Sequence, residues 1–180
     1  MTNLATQRYP KYAIPKRLNK TELAKIIGKF NNLKHLLLQF DLTESQLVDF
    51  FENLRCSAPS ITINFEQSRY MEKEFKALIS FLENHRNLRR FEVDWNKKGQ
   101  FYQIEQLTQV LQKHKELEVF ISKSTEDSTP ARFRDLSITQ ELSKLPNLKV
   151  LELEYDNKEP LSAKNIEQLL NGMKKMKSLD

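Results

Sequence analysis

Three histidines, one cysteine and three glycines are the residues from which chemistry would have to start in this chain, and their spacing speaks against it. His35, His85 and His114 stand far apart, and neither His-x-x-x-His nor Cys-x-x-Cys occurs, so no metal-ligand signature is present. His85 and His114 each precede a recurring leucine, Leu88 or Leu117, by three residues, a position held elsewhere by Phe30, Leu145 and Met176. A partly buried ring near a helix C-terminus, favoured there by the helix dipole, accounts for both. Cys56 follows Arg55, but nothing nearby supplies the base that a thiol nucleophile needs, so a small buried thiol is the expectation. Gly28, Gly99 and Gly172 are too dispersed to cradle a phosphate. The carboxylates fall on helix faces and turns, where charge is ordinarily solvated. The expectation is a protein with no catalytic residue, no cofactor and no metal.

The elements that carry these residues repeat. Anchored on Leu33, Ala58, Leu88, Leu117, Leu148 and Leu179, the same short phrase returns every 25 to 31 residues, as in "LKHLLLQF", "LRRFEVDW" and "LKVLELEY". Apolar residues follow the anchor at +3 and +5: Leu36 and Leu38, Ile61 and Ile63, Phe91 and Val93, Leu151 and Leu153. This alternation is that of a strand. At +7 stand Phe40, Phe65, Trp95 and Tyr155, which continue the inward side and are expected to form a core ladder rather than a base-stacking platform. The fourth unit is the weakest match, because Ser122 occupies its +5 position.

Between the strands the period becomes helical. Leu23, Ile26, Ile27 and Phe30 are spaced i, i+3, i+4, i+7, as are Leu47, Phe50, Phe51 and Leu54, then Phe75, Leu78, Ile79 and Leu82, and later Ile166, Leu169, Leu170 and Met173. Thr43 with Gln46, and Ser137 with Gln140, have capping-box spacing. Asn32, Asn87 and Asn147 precede the anchors, where a helix must stop and a left-handed residue is tolerated. A single strand-helix unit cannot bury its apolar face, but a stack of them can.

The pattern Leu88-x-x-Phe91-x-Val93-x-x-Asn96 resembles the leucine-rich repeat, and repeats of 29 to 31 residues with a full helix are similar to its ribonuclease-inhibitor-like class. The resemblance covers about residues 21–180. It implies an α/β solenoid of five to six strand-helix units: a curved parallel sheet with helices on the convex side, whose concave strand face often binds other macromolecules. It implies no reaction. In place of the family's asparagine ladder the chain has Asn96 alone, with Asp41, Glu66 and Asp156 at the matching positions.

The concave face is expected at +2, +4 and +6 of each strand. These positions hold His35, Leu37 and Gln39; Ser60, Thr62 and Asn64; Arg90, Glu92 and Asp94; Val119, Ile121 and Lys123; and Val150, Glu152 and Glu154. Such a mixed surface suits a protein partner, with Leu37 and Ile121 as exposed anchors. Its four carboxylates disfavour nucleic acid. Lys123 to Asp135, with Pro130, reads as either a flexible loop or a contact loop.

Charge separates the chain into two regions. Net charge is +5 from 29 Lys and Arg against 24 Asp and Glu, and all of the excess lies in residues 1–20, which hold five basic residues and no acid. Residues 1–20 are therefore expected to be a basic arm, and 21–180 the solenoid. Arg8, Tyr9, Lys11, Tyr12, Lys16 and Arg17 are the arm's candidate partner contacts; Pro10 and Pro15 disfavour a helix. An extended strap that orders on binding, a frayed terminus and a mitochondrial presequence all fit its composition, the last weakened by the prolines and scarce serine. No apolar run can span a bilayer, and one cysteine suits a reducing compartment, the cytoplasm first, with the nucleus or an organelle as alternatives. The last residues, "KSLD", sit at a sixth anchor, so the array is expected to continue or to pack its last rung on a partner.

The function expected from these features is non-enzymatic: a protein-protein interaction or scaffold subunit of a larger assembly, bound through its concave face and basic arm. The alternatives are a ribonucleoprotein component holding RNA with the arm, and an inhibitor or adaptor covering an enzyme with the concave face.

Overall fold

The computed structural model describes residues 19–39, 44–65, 72–94, 104–124, 142 and 144–155, and residues 163, 166, 167, 170, 171 and 174 further on. Helices and strands alternate in the order α1 (Lys20–Ile27), β1 (His35–Gln39), α2 (Glu44–Asn53), β2 (Ser60–Asn64), α3 (Glu72–Asn84), β3 (Arg90–Asp94), α4 (Ile104–Leu111), β4 (Val119–Ser124) and β5 (Val150–Tyr155). The strands form one parallel sheet in chain order, β1-β2-β3-β4-β5. This is an α/β solenoid of the leucine-rich-repeat type, each strand with its flanking helix making one rung.

Register follows the sequence repeat residue for residue. His35, Ser60, Arg90, Val119 and Val150 lie side by side across the five strands, and each is the +2 residue of its unit. A slip of one residue would turn the inward set outward, so the apolar columns hold the register. At the start of the later strands, one carbonyl of each rung accepts two successive amides of the next. Pro59 O takes Arg89 N and Arg90 N, Arg89 O takes Glu118 N and Val119 N, and Glu118 O takes Lys149 N and Val150 N, all at 2.8–3.0 Å.

The inward columns meet the helices in a single core. Leu38, Ile61, Ile63, Phe91, Val93 and Phe120 from the sheet are buried with Leu47, Phe50, Phe51, Leu54, Leu78, Phe81, Leu82, Leu107 and Leu111 from the helices. Phe91 and Phe120 are register partners, and their rings stack with centroids 6.1 Å apart. Phe51 reaches Phe81 of the next helix at 5.7 Å. Ser122 is fully buried in the column of Leu38, Ile63 and Val93, so the fourth unit keeps its inward position with a smaller side chain. Of the +7 aromatics, Phe65 is buried as expected; the side chains of Phe40, Trp95 and Tyr155 lie outside the described residues.

Helix ends divide the local signals. Asn19 caps α1, its Oδ1 accepting from Thr21 N at 3.0 Å and Glu22 N at 3.4 Å, with Glu22 suited to the positive end of the dipole. Asn87 takes the left-handed conformation, φ 64°, while Asn32 and Asn147 do not. Asn147 instead turns its side chain to the preceding rung, Nδ2 donating to Lys115 O at 2.8 Å. The capping boxes at Thr43 and Ser137, the +8 residues and the anchor Leu179 lie outside the described residues. β4 runs through Ser124, so Lys123 belongs to the strand rather than to the loop expected to begin there. No helix among the described residues is long and apolar enough to cross a membrane.

The two histidines before the anchors are pegs between rungs. His85 is 4% exposed, and its Nε2 donates to Ala58 O of the preceding rung at 2.7 Å; a carbonyl only accepts, so this nitrogen carries the proton. His114 makes the same kind of bond to the Leu82 carbonyl one rung on. The other ring nitrogens, Nδ1 of His85 and Nε2 of His114, are buried without a hydrogen-bond partner among the described residues. Burial pushes both imidazoles below their ordinary value of 6.5, only partly opposed by the carbonyl bonds; at His114 the His85 ring adds to the lowering.

Two outcomes follow from this core. Phe91→Ala removes a fully buried ring from a stacked pair, which costs about 3–5 kcal/mol, and urea unfolding monitored by far-UV circular dichroism will show the lower midpoint. The pH dependence has a definite sign. Because the folded state holds His85 and His114 below 6.5, their contribution is complete above that pH and is lost as pH falls through 6.5 toward the depressed folded values. The thermal midpoint will drop on acidification through this window, and the double variant His85→Gln, His114→Gln will show a shallower drop.

Candidate protein-binding face

The face opposite the helices is built by the same alternation that fills the core. Its residues stand in three rows across the strands: His35, Ser60, Arg90, Val119 and Val150; Leu37, Thr62, Glu92, Ile121 and Glu152; Gln39, Asn64, Asp94, Lys123 and Glu154. Strands about 4.8 Å apart make this a platform roughly 20 Å wide. All the concave residues expected from the repeat are therefore brought onto one surface. The arm residues Arg8, Tyr9, Lys11, Tyr12, Lys16 and Arg17 lie outside the described residues.

The two halves of the face differ. Over β1 and β2 it is uncharged at neutral pH, with Leu37 exposed at 42% beside Thr62 and Gln39. His35 and Ser60 join these strands through Nδ1 and Oγ at 2.6 Å. Desolvation, then the charge of Arg90, lowers the His35 pKa against the weaker pull of Glu92, so the ring is neutral near pH 7. Over β3 to β5 the face is ionic. Arg90 donates to Glu92 at 2.8 Å, and Lys123 Nζ lies 3.8 Å from Glu92, 3.6 Å from Glu152 and 4.0 Å from Glu154. Glu152 and Glu154 remain largely exposed, so their pairs with Lys123 hold orientation more than they stabilise.

One expected anchor differs. Ile121 is only 5% exposed; it lies mid-face with Glu92 and Glu152 as register partners and Val119 and Lys123 on the same side of β4. Val150, 43% exposed on β5, takes its place as the second open apolar side chain. The His35–Ser60 bond was not anticipated, although the shared +2 position of the two residues was the signal for it. Asn64 Oδ1 is buried without a hydrogen-bond partner among the described residues.

A serine bonded to an imidazole is the start of a nucleophile-base pair, but catalysis requires that ring to become cationic, and Arg90 opposes this. Ser60 also lies in an interior strand paired on both sides, a poor place for the free amides of an oxyanion hole. The Cys56 thiol is half-buried, and burial raises its pKa, which leaves it a weak nucleophile. No cluster of three or more histidine, cysteine or acidic residues among the described residues is arranged to hold a metal ion.

No protein-family model matches the chain, and the search of curated proteins returns no match. Among solved structures, the fold is similar to the tropomodulin C-terminal domain of Caenorhabditis elegans, with a TM-score of 0.58 over 87% of this chain and 90% of that one at 10% sequence identity. At this identity the likeness is one of fold, and it agrees with a solenoid of the leucine-rich-repeat type.

Proposed function

We propose that this chain is a non-enzymatic scaffold that binds another protein across its concave face, as a subunit of a larger assembly. The observation that supports this best is the face itself: a rigid, register-locked platform with open apolar residues, Leu37 and Val150, on either side of an ordered ionic centre. Apolar anchors flanked by oriented charges are what a protein partner uses for affinity and for register. The carboxylates Glu92, Asp94, Glu152 and Glu154 repel a phosphate backbone from the same surface. The solved tropomodulin domain lends its fold to this reading and nothing more.

In this reading, the basic arm is the segment ahead of the α1 cap Asn19, since Lys20 already belongs to the helix, and Arg8, Tyr9, Lys11, Tyr12, Lys16 and Arg17 supply a second, tethered contact that raises avidity. The partner-binding residues of the face are His35, Leu37, Gln39, Thr62, Asn64, Arg90, Glu92, Asp94, Lys123, Glu152 and Glu154, with Ile121 as their buried support. The repeat lengths favour the ribonuclease-inhibitor-like class, and the single cysteine favours the cytoplasm.

Leu37→Asp is the discriminating variant, because its side chain is open and the change leaves the core intact, whereas Leu38→Asp next to it will unfold the chain. Tagged protein purified from its own cells, with and without nuclease, will retain the same protein partners after nuclease. Leu37→Asp will lose them by about tenfold or more while its thermal midpoint stays unchanged. Release of every partner by nuclease would instead assign the chain to an RNA-bound particle through its arm. Partner binding that survives loss of the arm but not Leu37→Asp would single out an inhibitor or adaptor acting through the face alone.

A further inference from the structure

The segments that lead into the strands are residues 28–34, 54–59, 85–89, 112–118 and 144–149. Because the strands are parallel and in register, all five lie side by side on one edge of the sheet. That edge is basic. The first three segments carry Lys29, Lys34, Arg55, Arg86 and Arg89 and no acid. The last two add Lys113, Lys115, Lys144 and Lys149 against Glu116 and Glu118. All of these cations are exposed. Composition conceals the edge, since residues 21–180 hold as many acids as bases, and only the fold gathers one sign on one side.

Local stabilisation accounts for part of this charge. Lys29, Arg55, Arg86 and Lys113 closely follow helix ends, where the dipole favours a cation. Arg89, Lys113 and Lys149 reach carboxylates of neighbouring rungs, Glu116 at 3.1 Å, Glu83 at 2.7 Å and Glu118 at 3.2 Å. Lys34 and Lys115 lie beyond the reach of a helix end. With Lys29, Arg55 and Arg86, they make no ion pair among the described residues. Each of the first four rungs thus presents a cation without a carboxylate of its own. Like charges held along an edge repel one another, and an external anion relieves that repulsion. Phe30 stands between Lys29 and Lys34 and is 58% exposed.

We propose that this edge docks on an anionic membrane leaflet, with its cations at the lipid phosphates and Phe30 entering the headgroup layer at the first rung. The cations lie in two lines, one near the helix ends and one at the strand starts, so their charge covers an area. A planar leaflet meets every rung of such an area at once. A nucleic-acid strand would call for stacking aromatics along the rungs, and Phe30 is the only phenylalanine, tyrosine or tryptophan in the five segments. The concave face has the opposite balance, four carboxylates against Arg90 and Lys123, so it turns away from the leaflet and stays open. This surface goes beyond the reading of the concave face and stands without it.

The test is sedimentation of the full chain with phosphatidylcholine vesicles, with and without phosphatidylserine, over a range of salt. Binding is expected only with phosphatidylserine and will weaken as salt screens it. Lys29→Gln, Arg86→Gln and Lys115→Gln together will reduce it about a hundredfold, at roughly fivefold for each cation near an anionic leaflet. Phe30→Ser will weaken it at every salt concentration. These four side chains are exposed, so the variants will stay folded, as thermal unfolding will show. Arg8→Gln, Lys11→Gln, Lys16→Gln and Arg17→Gln together leave the edge intact and will keep most of the binding. Three results would overturn the proposal: no preference for phosphatidylserine, no vesicle binding at all, or binding lost with the arm variant but not with the edge variant. Poly(U) RNA held more tightly than vesicles and released by the edge variant would do the same, making the edge a polynucleotide site.

Discussion

Parallel pairing in strict register is the constraint on which the rest of this molecule depends. A parallel neighbour cannot be reached by a tight turn, so each strand must be followed by a crossover long enough to carry a helix. That requirement sets the repeat near 30 residues and makes every unit a strand and a helix. The carbonyls of Pro59, Arg89 and Glu118, each accepting two amides of the next rung, fasten consecutive strands at the same point of the repeat. Once that point is fixed, alternation sends +3 and +5 to the helices and +2, +4 and +6 to the opposite face. The core and the candidate binding face are two products of one register.

Inside the core the rungs are not identical, and the differences show how the stack tolerates variation. Phe91 and Phe120 stack at +3 where Ile61 and Leu36 stand in the first two rungs, and Ser122 shortens the +5 column of β4. Position −3 is more revealing. In the third to fifth rungs, where it is buried, it accepts either a leucine or a histidine, provided the ring's N–H meets a carbonyl of the neighbouring rung, as His85 does with Ala58. A buried donor with an acceptor is tolerated as a packing element, and the burial that makes it one also keeps it neutral.

The parts legible from the sequence were those governed by periodicity. The anchors predicted the register across all five strands, and the α2 stripe of Leu47, Phe50, Phe51 and Leu54 is buried in full. What was not legible depended on neighbours from other rungs. Periodicity places Ile121 on the outer face but does not say that it will be buried there between its register partners Glu92 and Glu152. Nor does it say that α1 will bury Ala24 fully and bring Gly28 close to Arg55 O while Ile26, of its larger apolar stripe, stays exposed. Asn147 was read as a left-handed stop, and it serves instead as a side-chain link to Lys115, because an amide can satisfy a chain end in either way. The His35–Ser60 bond needed only the shared +2 position and the knowledge that the two strands are adjacent.

The pegs at His85 and His114 reach across successive rung boundaries in the middle of the stack, joining the second rung to the third and the third to the fourth. In a linear array each unit touches only its neighbours, so cohesion is a property of boundaries rather than of the whole. The boundaries with such ties will open last, and the outer ones first. Damage to a terminal rung therefore shortens the ordered array, whereas damage at a pegged boundary divides it in two.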